Sequence, residues 1–244
     1  MLAGLSWTTV GPAARANPPK RVEMFRRLPD WSGIWLSDAE KPDLAGQYKD
    51  ISVYYLGFGH APYKPEWAAQ VQELTKRFTS VEQKSCDIDL PSVMQYPQPL
   101  ELTVTPEETL VTAGDGGIRH IYTDGRRHPP ADELEPSRMG DSIGHWEGDV
   151  LVVDTVGRRP GQMIFGTNSF SPAVRFTERI RKTGPDKLED QMVIEDPVAL
   201  TGPWRLTLGF NRVTYLDRIV PYECDATDRI RITDGKGEIV PAGR

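Results

Sequence analysis

From Pro99 onward the chain alternates apolar and polar residues in short runs cut by turn signals, and this period of two constrains the fold most. Leu100, Leu102 and Val104 alternate with Glu101, Thr103 and Thr105. Thr109 to Ala113 follows a turn at Pro106-Glu107-Glu108, and Gly117 to Thr123 follows Gly114-Asp115-Gly116. Ser142 to Trp146 and Val150 to Val156 form a hairpin around Glu147-Gly148-Asp149. Val174 to Lys182 pairs with Leu188 to Glu195 around Gly184-Pro185-Asp186, and Trp204 to Val213 and Arg218 to Glu223 complete the run. An opening strand, Asp30 to Leu36, sets Trp31, Gly33 and Trp35 on one face, where a Trp can plug a barrel base. The 22 Gly and 21 Pro among 244 residues suit many short elements. About ten strands joined by hairpins read as a mainly β chain, an antiparallel up-and-down barrel or a closed sandwich.

One helix interrupts this pattern. Pro65 suits its first turn, and Trp67, Val71, Leu74 and Phe78 make one apolar stripe over 65–83. Such a stripe packs across a sheet or closes a barrel end. Residues 38–62 are irregular, and 125–140 form a loop rich in Pro and acids. A single barrel domain is expected over 29–244, preceded by an arm at 17–28. Residues 1–16 carry no acid and end in Ala14-Arg15-Ala16, a small-x-small pattern that reads as the remnant of a signal peptide. That places the protein in the periplasm or outside the cell. Two cysteines, Cys86 and Cys224, suit one structural disulfide there; two buried thiols are the alternative. The net charge of −6 argues against a nucleic-acid partner, and no apolar run is long enough for a membrane-spanning helix.

Alternation also assigns faces. Val174, Phe176, Glu178 and Ile180 share one side of their strand, opposite Arg175, Thr177, Arg179 and Arg181, so Glu178 points inward. Leu188, Asp190, Met192 and Ile194 likewise share a face, which carries Asp190 inward or to the rim. A carboxyl group desolvated in an apolar barrel has its pKa raised, which is how an acid or base for neutral pH is made. An inward Arg or backbone hydrogen bonds would instead make Glu178 structural. In the next polar segment, either Arg119, Ile121 and Thr123 point in, or His120, Tyr122 and Asp124 do. His128 follows Asp124 by four residues, and a His held by an Asp at a barrel mouth can shuttle a proton. His145, sharing a face with Asp141 and Ile143, would complete such a site if that face is interior.

The four His residues show no metal-ligand spacing, and no Walker loop, dinucleotide turn or Gly-x-Ser-x-Gly nucleophile motif occurs. Neither metal nor cofactor is expected. The candidate catalytic set is therefore Glu178, His128, Asp124, Tyr122 and His145, with Arg119, Asp190, Arg158 and Trp204 as candidate substrate contacts.

The segments Ile121-Tyr122-Thr123-Asp124-Gly125-Arg126, His128-Pro129 and Gly144-His145-Trp146-Glu147-Gly148-Asp149 through Gly157 resemble a family of bacterial exported proteins. That family is largely unassigned in function and abundant in soil and sphingomonad-like bacteria. Trp31-Ser32-Gly33-Ile34-Trp35, Glu178-Arg179, Asp196-Pro197, Cys86 and Tyr222-Glu223-Cys224 look similar too, so the resemblance covers roughly 29–225. It implies export and a β-rich, lipocalin-like barrel, but no reaction. Arg158 departs from the aromatic residue usual there, which suits a more polar or anionic ligand if that position lines the cavity.

Three functions follow as expectations. The first is an exported enzyme of lyase, isomerase or hydratase type, using acid–base chemistry on a small apolar or aromatic molecule in the barrel. The second is a carrier that binds such a ligand without turnover. The third is a secreted polysaccharide-active protein whose Trp and Tyr side chains stack on sugars. The sequence leaves the oligomeric state open.

Overall fold

The computed structural model describes residues 18–38, 61–78, 83–84, 89–95, 98–114, 117–159, 170–219, 229–233 and 236–240. Helix α1 spans Pro18–Arg27, α2 Pro65–Phe78 and the single-turn α3 Ser92–Gln95. The strands are β1 Gly33–Ser37, β2 Gln83–Lys84, β3 Leu100–Val104, β4 Glu108–Ala113, β5 Ile118–Tyr122 and β6 Asp141–Glu147. They continue with β7 Val150–Val156, β8 Arg175–Gly184, β9 Lys187–Glu195, β10 Trp204–Val213, β11 Arg229–Thr233 and β12 Lys236–Val240.

Nine strands close a barrel in the order β1-β10-β9-β8-β7-β6-β5-β4-β3, and β12-β11-β2 form a separate small sheet. The protein is thus mainly β with a closed barrel, as the alternation predicts. The barrel is mixed, however, because β5 and β6 run parallel, with Ile121 opposite Ser142 and Tyr122 opposite Ile143. A parallel neighbour needs a long return connection, and residues 123–140 supply it. The expected strand at Arg218 to Glu223 is not formed at Arg218 and Ile219; residues 220–223 lie outside the described residues. So do Cys86, Cys224 and residues 1–16, on which the disulfide and leader expectations rest.

The long strands β8 to β10 turn their apolar positions inward, burying Phe176 and Ile180 on β8, Leu188, Met192 and Ile194 on β9, and Leu206, Leu208 and Phe210 on β10. Apolar area removed from water stabilises by roughly 25 cal/mol per Å² and is the main force behind this inward face. Glycines permit two close approaches around the parallel joint. Gly140 has φ +69°, and a Cβ there would sit 2.7 Å from the Val156 carbonyl oxygen, so the chain turns into β6 only with glycine. Gly144 faces inward on β6, where a Cβ would meet Ile121 Cγ2 at 2.9 Å; its missing side chain is the space Ile121 fills.

Helix α2 begins at Pro65 as expected and ends at Phe78, short of Gln83. Its start is tied to the β9–β10 connection: Lys64 N donates to Ala199 O at 2.9 Å, and Thr201 N donates to Pro62 O at 2.8 Å. Trp67 packs on the barrel core. Helix α1 lies in the expected N-terminal arm and is anchored by Arg21, whose Nε donates to Glu107 Oε1 at 2.6 Å.

Candidate functional site: a buried polar cluster and an apolar cavity

Five neighbouring strands deliver polar side chains to the middle of the barrel. Arg119 comes from β5, Ser142 from β6, Thr155 from β7, Glu178 from β8 and Asp190 from β9, and all five are buried. Arg119 Nη1 donates to Glu178 Oε1 at 2.9 Å, and its Nη2 donates to Glu178 Oε2. The same guanidinium donates to Ser142 Oγ at 3.2 Å and to Thr155 Oγ1 at 3.0 Å. Ser142 and Thr155 are bonded to each other at 2.8 Å. Burial alone would lower the Arg119 pKa; the charge and hydrogen bonds of Glu178 outweigh it and hold the group above its ordinary value.

Asp190 completes the cluster. Among the described residues no hydrogen-bond donor reaches either carboxyl oxygen. Burial first, and the charge of Glu178 second, push its pKa well above the usual carboxylate range, against the pull of Arg119. Burial thus favours the neutral, protonated form of Asp190 beside the Glu178 charge. The charges of Arg119 and Glu178 offset each other, and burial disfavours a second negative charge on Asp190. A charge set buried in apolar surroundings is tolerable only when balanced in this way.

Beside the cluster, at the end of the barrel under Trp31 and Trp35, lies a cavity of about 20 Å³. That is room for about one water molecule. Its walls include Leu100, Val111, Ile180 and Phe210, and among the described residues no charged side chain borders it. Its cap comes from outside the strands: Trp31, which precedes β1, and Met94 of α3. Trp31 stacks edge to face on Trp146 with ring centres 4.9 Å apart, and Trp35 Nε1 donates to Trp31 O at 2.9 Å. Two polar atoms of the lining residues, Thr109 Oγ1 and Trp31 Nε1, are buried without a hydrogen-bond partner.

The remaining candidates lie elsewhere. The structure settles the face of β5: Arg119 and Ile121 point inward, while His120 is exposed and Tyr122 half-buried. Asp124 does not hold His128. It binds Arg126, whose Nη2 donates to it at 2.7 Å, and that bond holds the Asp124 pKa down. Arg126 also lies 3.9 Å over the Tyr122 ring. His128 sits on the outer wall between two other carboxylates, with Nδ1 2.5 Å from Asp141 Oδ1 and Nε2 3.2 Å from Asp154 Oδ2. Arg175 clasps Asp154 with two bonds of 2.6 Å.

His145 points to solvent and meets Glu147 at 3.3 Å, because the inward positions of β6 are Ser142 and Gly144. Arg158 does not line the cavity. It is buried just beyond the end of β7, where Nε donates to Leu90 O at 2.8 Å and Nη2 pairs with Asp89. Trp204 is buried near Phe170, with ring centres 6.5 Å apart, and does not border the cavity either. The structure thus brings Glu178, Asp190 and Arg119 together and leaves His128, Asp124, Tyr122 and His145 on the other side of the wall.

Sequence reasoning did not single out Ser142, Thr155 or Thr109 as polar interior groups. The signal was present for Thr109, which shares a strand face with Val111 and Ala113. Among the described residues no group of His, Cys, Asp and Glu is placed to hold a metal ion, and no helix is long and apolar enough to cross a membrane. Comparison with protein families, with curated proteins and with solved structures gives no match.

Proposed function

We propose that the barrel is a binding module, exported to the periplasm or beyond, that takes up a small apolar molecule at the end capped by Trp31 and Met94. One observation carries this reading: Arg119 and Glu178 offset each other's charge inside the barrel, while among the described residues the lining of the unfilled space carries no charge and presents an apolar surface. The cap supports it as well. Met94 is an unbranched, adaptable side chain on a one-turn helix, and its displacement enlarges the space without breaking a barrel hydrogen bond. Export rests on the Ala14-Arg15-Ala16 pattern.

Acid–base catalysis inside the barrel is the weaker reading. A catalytic acid or base must come within hydrogen-bond reach of its substrate. Glu178 and Asp190 are both fully buried, and neither borders the cavity. Sugar stacking has little support among the described residues, where the large exposed aromatic side chains are Phe25 and Tyr215.

Toluene titrated into the full chain, with the thermal midpoint as readout, tests binding. A ligand held only by the folded state stabilises it by about 2.7 kcal/mol at 100 times its Kd. Met94→Ala enlarges the site and should strengthen the response. No shift in either the wild type or Met94→Ala refutes the binding reading.

A further inference from the structure

Residues 123–140 carry the chain from the end of β5 back to the start of β6, and the two halves of this connection are held differently. Near its end, backbone bonds pin it: Ser137 N donates to Gly157 O at 3.0 Å, Arg159 N to Ser137 O at 2.7 Å and Leu90 N to Arg138 O at 3.1 Å. Across 125–133, among the described residues, His128 alone is hydrogen-bonded to a barrel strand. Its Nδ1 lies 2.5 Å from Asp141 Oδ1 on β6, and its Nε2 lies 3.2 Å from Asp154 Oδ2 on β7. An ionised carboxylate only accepts, a neutral imidazole has one N–H, and an imidazolium has two. Both bonds therefore form only when the ring carries its second proton. Without it, a nitrogen lone pair faces a carboxylate oxygen in one of the two contacts.

The surrounding charges come from five strands and the connection itself. Asp141 of β6 and Asp154 of β7 face the ring directly. Arg175 of β8 holds Asp154, and Glu195 of β9 acts on that guanidinium. From the connection, Arg126 lies over the Tyr122 ring of β5, pairs with Asp124 and acts on Asp141. With the ring neutral, four acids stand against two arginines; the imidazolium adds a third cation, set between two carboxylates. We propose that His128 is a proton-dependent latch: as an imidazolium it holds residues 125–133 on the outer wall by bridging β6 to β7, and on losing a proton it releases them and uncovers Asp141 and Asp154. Acid closes the latch and alkali opens it, whatever the barrel binds.

Amide hydrogen exchange of the full chain, read as protection relative to the unstructured rate at each pH, tests the latch at about pH 5 and about pH 8, the range over which an imidazole changes charge. In the wild type, protection of 125–133 should fall about tenfold from the lower pH to the higher, the effect of one charge-assisted hydrogen bond, while β7, β8 and β9 keep theirs. His128→Gln should leave the segment weakly protected at both pH values. Asp154→Asn offers Nε2 an N–H donor, so even the neutral ring keeps both bonds, and protection should stay high at both. Wild-type protection that does not change with pH overturns the latch. So does an equal fall in His128→Gln or in Asp154→Asn, which would place the titrating group elsewhere.

Discussion

Replacing Asp190 by Asn and Glu178 by Gln should have very different consequences, although the two carboxyl groups are equally buried. Burial favours the neutral form of Asp190, and Asn keeps that charge and nearly its shape, so Asp190→Asn should cost under about 1 kcal/mol near pH 4 and should match or exceed the wild type in stability at pH 7. Glu178 accepts two charge-assisted bonds from Arg119, and its removal leaves a buried guanidinium without its counter-ion, a defect of about 3–5 kcal/mol. The single Glu178→Gln variant should fall at the lower end. Once the Glu178 charge is gone, the pull of Arg119 favours the charged form of Asp190, which then offsets part of the lost pairing. In the double variant no carboxylate remains, so its loss should exceed the sum of the two single losses by about 1–2 kcal/mol. Urea unfolding of all four proteins at pH 7 measures the cycle.

The pH dependence carries a sign as well. The pKa of Asp190 is higher in the folded chain than in the unfolded one, so above the unfolded value near 4 the folded state holds the extra proton. The wild type should therefore lose stability relative to Asp190→Asn as pH rises from about 4 towards the folded pKa, by up to about 1.4 kcal/mol per unit. An Asp190→Asn variant as damaged as Glu178→Gln, or a difference flat with pH, would show that Asp190 is ionised in the folded protein and refute the charge balance.

Gly140→Ala should cost about 2 kcal/mol, because it forces a left-handed backbone on alanine and drives its Cβ against the Val156 carbonyl; urea unfolding reads it. His128→Leu removes the link between residues 123–140 and the carboxylates of Asp141 and Asp154. Amide exchange should quicken in that segment while the barrel strands keep their protection, and unchanged exchange would show that other contacts hold it.

The strands and most of their faces were legible because inward positions on β8, β9 and β10 are nearly all large and apolar. Against that background the inward placement of Glu178 could be read directly, and that of Asp190 as inward or at the rim. On β5 the two faces carry Arg119 with Ile121 and His120 with Tyr122, so composition does not choose between them. The deciding interaction, Arg119 with Glu178, joins residues far apart in sequence. On β6 the inward residues Ser142 and Gly144 are small because Arg119 and Ile121 occupy the space beside them. Locally, the Ile143 face looks the more buried, and His145 was aligned with it. The parallel joint was hidden for a similar reason: residues 123–140 look the same whether the chain doubles back as a wide hairpin or returns to its starting end. His128 was matched with Asp124 by nearness in sequence, whereas β6 and β7 bring Asp141 and Asp154 to it from one strand pairing further on.

The ring is closed by its oldest strand. Between Gly33 and Ser37 the chain lays down β1, yet that strand is flanked by β3 on one side and β10 on the other, with Ile34 opposite Val213. Strands β3 to β10 can zip up in order, each finding its neighbour as it is made, but the seam stays open until the chain has grown past residue 213. Such long-range closure is slow compared with local pairing. β1 thus joins the first and the last strand of the run β3 to β10, and its edge towards β10 has no partner until residue 213 is in place.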